Sequence, residues 1–145
     1  MGLLPDEIKA AMQGVIPSHV VTCAADGTPN ASAISQVYYV DGDHVALSHQ
    51  FFNKTKRNLA ENPHAMVWLI HPETFDTWDL ELVLDHSETS GPVFDAMDMQ
   101  IEAIASMVGM KGIFKLKAAD IFRVVSVTKT SGERIPRSQI PRADR

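Results

Sequence analysis

The chain has 145 residues, with 13 Lys+Arg against 18 Asp+Glu for a formal net charge of −5, and is 45% hydrophobic and 21% charged. That size and mix describe one globular domain able to bury its own core, and the acidic balance argues against a chain built to grip nucleic acid non-specifically. The one cysteine, Cys23, excludes an intrachain disulfide framework and a cysteine-based zinc site.

The opening residues Met1-Gly2-Leu3-Leu4-Pro5-Asp6-Glu7 lack the basic start and apolar stretch of a signal peptide. The longest apolar run, residues 65–70, is too short to cross a bilayer. A soluble cytoplasmic protein without membrane or nucleic-acid partners is the expectation. Residues 5–13 predict a short helix, with Pro5 at its start, Asp6 and Glu7 at its positive end and Gly14 at its stop. Two strand-like runs, 18–24 and 31–40, flank the turn signal Asp26-Gly27-Thr28-Pro29, and Asp41-Gly42-Asp43 leads to a third strand over 44–48. The short connections make these an antiparallel meander.

Residues 53–61 predict a helix that Asn53 can cap and Asn62-Pro63 ends. The run 65–70 reads as a strand buried on both faces. Residues 78–85 alternate, with Trp78, Leu80, Leu82 and Leu84 on one side and Asp79, Glu81 and Asp85 on the other. Gly91-Pro92 opens the longest helix, to about Val108, whose buried stripe is Phe94, Met97, Ile101, Ile104 and Val108. Most of the seven methionines fall on such stripes and read as core. A last strand spans 113–127, bent near 118–120. After it, residues 128–145 form an irregular basic tail beyond a domain of residues 1–127. Six strands and about three helices give a mainly β, α+β protein. A closed or partly closed antiparallel barrel would remove exposed strand edges, and an open α+β sandwich stays possible.

The stretch from Leu47 to Leu59 carries the most chemistry. Lys54, Lys56 and Arg57 crowd the first turn of a helix, where the macrodipole is already positive. A bound anion would turn that cost into a gain, with free backbone N–H groups, Ser48 and Thr55 as further donors. A solvated basic turn is the alternative. The strand Ala31-Ser32-Ala33-Ile34-Ser35-Gln36-Val37 mixes small, polar and apolar residues. Small side chains and backbone hydrogen bonds suit a flat aromatic ligand, although a partly buried interface strand explains the run as well. The six histidines show no HxH or HxxxH spacing, so no metal site is expected. Cys23 reads as a buried small apolar residue. No GxSxG elbow or glycine-rich phosphate loop is present.

The order of these features resembles the pyridoxamine 5′-phosphate oxidase-like, FMN-binding split-barrel proteins from about Pro5 to Val127. The most specific parts are Asn53-Lys54-Thr55-Lys56-Arg57-Asn58-Leu59-Ala60-Glu61-Asn62-Pro63 and His86-Ser87-Glu88-Thr89-Ser90-Gly91-Pro92-Val93-Phe94. The resemblance implies a six-stranded antiparallel split barrel that forms a homodimer and binds FMN at the dimer interface. It places the flavin ring along Ser32, Ala33, Ile34, Ser35, Gln36 and Val37, and the phosphate near Leu47, Ser48, Asn53, Lys54 and Thr55. The second member of the family's basic pair is Thr55 here, so either Lys56 or Arg57 supplies the missing charge or the phosphate is held more weakly. The substrate residues of the vitamin-B6 oxidases have no match in the tail, which puts that activity in doubt. The implied function is an FMN-dependent oxidoreductase of unknown substrate, with no catalytic side chain nominated. Alternatives are an F420-binding relative, a haem-binding one in which His49 or His64 would be the candidates, and a non-enzymatic flavin-binding or sensory module.

Overall fold

The computed structural model describes residues 2–13, 16–34, 37–49, 53–107, 109 and 116–130. Seven strands appear among them: β1 (Ser18–Cys23), β2 (Pro29–Ile34), β3 (Val37–Asp41), β4 (His44–His49), β5 (His64–Ile70), β6 (Thr77–Glu88) and β7 (Ala118–Thr130). A 3-10 turn, Asp6–Ile8, runs into α1 (Lys9–Met12), and α2 (Asn53–Glu61) and α3 (Pro92–Met107) interrupt the strands. The strands form one sheet in the order β2-β1-β5-β6-β7-β4-β3, with every pairing antiparallel.

Chain connectivity bends this sheet into a barrel. β2 and β3 are its outermost strands, yet Ile34 and Val37 are three residue steps apart, a reach of at most about 11 Å. Laid flat, seven strands would hold those edges about 29 Å apart. The sheet must curl until its edges approach, leaving a split between β2 and β3. The single strand expected over 31–40 is therefore two strands with different neighbours, β2 on β1 and β3 on β4, and the count rises from six to seven. Ser35 and Gln36, at the break, lie outside the described residues, as do residues 113–115 of the expected last strand.

Two acidic hairpin turns set the register. Asp26 Oδ1 accepts from the Thr28 N–H at 2.9 Å, and Gly27 takes φ +91°, a left-handed conformation that favours glycine. Asp41 Oδ1 accepts from the Asp43 N–H at 2.8 Å and lies 2.9 Å from His44 Nδ1. Gly42 meets the N-terminal segment closely: a Cβ there would come within 2.8 Å of the Gly2 Cα. The Leu4 N–H donates to the Gly42 carbonyl at 3.0 Å, which brings Leu4, Ile8, Ala11 and Met12 onto the barrel core.

Inside the barrel, Val20, Val45, Leu47, Val67, Leu69, Trp78, Leu80, Leu82, Phe122 and Val124 form one cluster. Each fully buried large side chain contributes about 1.5–3 kcal/mol relative to exposure. The alternate residues of β4 and β7, namely Ala46, Ala119 and Ile121, point outward and are covered by Met97 and Ile101 of α3. Of the expected α3 stripe, Phe94 is half-buried, while Val108 and the Ile104 side chain lie outside the description. Met12 and Met97 are core, but Met99 and Met107 are 71% and 86% exposed, so methionine did not mark burial on α3. β5 also departs from expectation: Ala65, Val67 and Leu69 are buried, whereas His64 and Met66 are exposed and Trp68 and Ile70 half-buried. Its outer face has no covering helix among the described residues. β6 and β7 extend three residues beyond the expected ends, to Glu88 and Thr130, because they pair with each other along that length, with bulges between Glu81 and Leu82 and between Leu84 and His86.

Candidate functional site

The inward residues of the β1–β2 hairpin are polar at one end. Thr22 on β1 and Asn30 and Ser32 on β2 alternate with outward residues. Such groups need partners once removed from water, and α2 supplies them. Thr55, Asn58 and Leu59, spaced three and four apart, share the helix face turned to the barrel and are 3%, 4% and 7% exposed. Asn30 Nδ2 donates to Thr55 Oγ1 at 3.2 Å, Ser32 Oγ lies 3.4 Å from the same hydroxyl, and Asn58 Nδ2 donates to Thr22 Oγ1 at 3.1 Å. Asn62-Pro63 ends the helix; the Asn62 N–H still donates to the Asn58 carbonyl at 2.7 Å.

Thr55 thus joins α2 to β2. Lys54, Lys56 and Arg57 lie on the exposed side of the same helix. The Thr28 N–H chiefly holds the Asp26 carboxyl of the β1–β2 turn below its ordinary value of 3.8, and the Lys54 charge adds a small contribution in the same direction. Asn53 begins the helix. Ser48, 1% exposed, pairs with Ala119, and Leu47, 3% exposed, pairs with Val37 and Asp120. Ile34, Val37 and Leu47 all belong to the barrel core, so their side chains pack inside.

β2 borders this corner with a different surface. Among the described residues it pairs only with β1, so alternate backbone N–H and C=O groups along its other edge have no strand partner there. Ala31 and Ala33 project outward and are exposed. Ala33 sits opposite His19, whose ring lies 6.0 Å from that of Trp68. The structure therefore brings together Ser32, Thr55 and the Lys54 turn, with Ala33 on the reverse face of the same strand; Ser35 and Gln36 lie outside the described residues. Asn30, Asn58 and Thr22 were not singled out from the sequence. Their signal is the three-residue spacing of Thr55 and Asn58, together with polar residues at alternate strand positions.

On its solvent side this corner offers the Lys54 ammonium group beside a helix N-terminus, which is compatible with a phosphate, while the Thr55 hydroxyl and Asn58 carboxamide are taken up by β1 and β2 beneath it. The small outward residues on an unpaired strand edge leave room for a planar ring. Among the described residues no group of three or more His, Cys, Asp or Glu side chains is placed to hold a metal ion. Cys23 is half-buried on the outer face, more exposed than expected. His64 is exposed at the start of β5. No helix among the described residues is long and apolar enough to cross a membrane.

Solved structures share this architecture. An FMN-binding protein from Syntrophomonas wolfei subsp. wolfei matches with a TM-score of 0.72 at 18% identity, over 89% of each chain. An F420 reductase matches with a TM-score of 0.62 at 15% identity, over 86% of this chain and 98% of that one. The haem storage protein HutZ from Vibrio cholerae matches with a TM-score of 0.57 at 19% identity, over 88% and 94%. Among curated proteins there is no significant match. At such identities these likenesses show the fold, an antiparallel split barrel, while the sequence pattern described as pyridoxamine 5′-phosphate oxidase matches residues 4–124, from the N-terminal turn into β7, and makes this chain a member of that family.

Proposed function

We propose that this protein is a homodimeric FMN-binding oxidoreductase. The observation that carries the reading is the unpaired edge of β2, with its small residues Ala31, Ser32 and Ala33, running beside the N-terminal turn of α2 and Lys54. A strand edge offers backbone hydrogen bonds to a heterocycle, and the helix start offers N–H groups and a cation to a phosphate. Bound FMN would supply the electron transfer; the chain would orient it and limit solvent access. Lys54 would meet the phosphate, and Ser32 and Thr55 would hold the strand and helix in register beneath it.

The test is the visible spectrum of the purified protein, followed by the mass of any released chromophore. A two-banded flavin spectrum that yields FMN supports the reading. A colourless protein that also fails to bind added FMN would overturn it, as would a haem spectrum or recovery of F420.

A further inference from the structure

We propose that the cleft between α1, β3 and α3 is a second binding site, one that takes a small aromatic carboxylate. The cleft has a volume of about 470 Å³, within the roughly 300–1,000 Å³ range of small-molecule sites. It touches both Tyr38 and Tyr39. Successive strand residues point to opposite faces, so the cleft must wrap the edge of β3. Among the described residues that edge has no strand partner, because β3 pairs only with β4. Alternate backbone N–H and C=O groups of β3 along that edge therefore face away from the sheet.

The chemistry of the walls selects the ligand. Met12 and Val37, each 2% exposed, give an apolar floor. Both tyrosines are half-buried, and Gln100 of α3 adds a carboxamide at the rim. Lys9 is the cation: its Nζ sits 4.5 Å from the centre of the Tyr39 ring, which draws it against the cleft wall. Its other partner is Asp6 at 3.5 Å, a carboxylate whose side chain is 98% exposed. So exposed a pair holds weakly and yields to a better-placed anion. Among the described residues no carboxylate lines the cleft, which is notable in a chain of net charge −5. One positioned ammonium group, aromatic and aliphatic walls and neutral polar groups match a ring bearing a single carboxylate.

The experiment is a titration of the isotope-labelled full chain with benzoate, followed by amide chemical shifts, with and without added FMN. Benzoate should shift Lys9, Tyr38, Tyr39 and Gln100 saturably, whether or not FMN is present. Lys9→Met should weaken binding by about 10- to 100-fold, while Lys9→Arg keeps a cation and should keep most of it. Benzyl alcohol, the neutral analogue, should bind as weakly to the parent as benzoate does to Lys9→Met. Shifts confined to α2 and abolished by FMN would mean that the flavin corner takes benzoate, and would overturn the assignment. It is equally overturned by an absence of saturable shifts, by unchanged affinity in Lys9→Met, or by equal loss in both Lys9 variants. Because the readout does not depend on flavin, failure of the FMN reading leaves it intact.

Discussion

Thr55 lies 3% exposed between Asn30 and Ser32, whereas Lys54, one residue earlier, is exposed beside the β1–β2 turn. Neighbours in sequence therefore face different work, and substitution should separate them. Thr55→Val removes the hydroxyl that Asn30 and Ser32 share and leaves these two half-buried groups with one partner fewer, at a cost of about 1 kcal/mol. Lys54→Ala removes no buried contact, and its stability should stay within about 0.5 kcal/mol of the parent. Its FMN affinity should fall about 10- to 100-fold, the value of a charge-assisted bond. Urea unfolding and flavin titration of both variants check this. A Lys54→Ala protein that binds FMN like the parent would remove the phosphate assignment. The cations at this turn were legible because positive charge at a helix start opposes the macrodipole. The inward role of Thr55 was not, since a hydroxyl serves a ligand or a buried partner equally well. Only the pairing of β1 with β2 brings Thr22, Asn30 and Ser32 beneath the helix.

At the scale of elements, both hairpin turns carry an aspartate that accepts from the backbone two residues on. In the folded chain both carboxyls are held below the ordinary value of 3.8, Asp26 chiefly by the Thr28 N–H and Asp41 chiefly by the Asp43 N–H, with His44 next. A carboxyl with a depressed folded pKa adds stability above its unfolded pKa and loses it as pH falls through the folded one. Replacing both by Asn keeps an acceptor oxygen and removes the charge. The stability gap between the parent and the Asp26→Asn/Asp41→Asn variant should then be widest near neutral pH and close below about pH 3. Urea unfolding over a pH series measures it, and a gap independent of pH would show that these turns do not prefer the charged form. These turns were readable because Asp-Gly names its own geometry, α2 from its start and stop residues, and α3 from Gly91-Pro92 at its start. The break between β2 and β3 was not, because Ala31 to Val37 shows no change of period where the chain passes from one sheet edge to the other. From sequence β5 reads as buried on both sides, because its outward residues, Met66, Trp68 and Ile70, are as apolar as its inward ones.

That outward apolar face is a property of the whole barrel. Met66 lies opposite Val21 of β1 and Glu81 of β6, and Val83 lies opposite Arg123 of β7. With Cys23 and Val125 they line a shallow trough of about 720 Å³. Met66 and Val125 are 39% and 43% exposed. A two-fold interface places one patch against its own copy, so each charge must meet its complement from the same patch. Glu81 and Arg123 satisfy that condition: in an antiparallel approach each can face the other across the axis, around an apolar centre. Met66→Glu would put a carboxylate into that centre from both copies. Light scattering at micromolar concentration should find the parent dimeric and Met66→Glu monomeric, with secondary structure retained because Met66 packs no core. If FMN sits where two copies meet, dimerisation and binding are linked equilibria, and what weakens one weakens the other. Met66→Glu should then lose FMN affinity although its Lys54 turn is intact. Dilution of the parent should release flavin at the concentrations where the dimer dissociates. A parent that is monomeric throughout, or a monomeric Met66→Glu that binds FMN as tightly as the parent, would break the link between this face and the flavin corner.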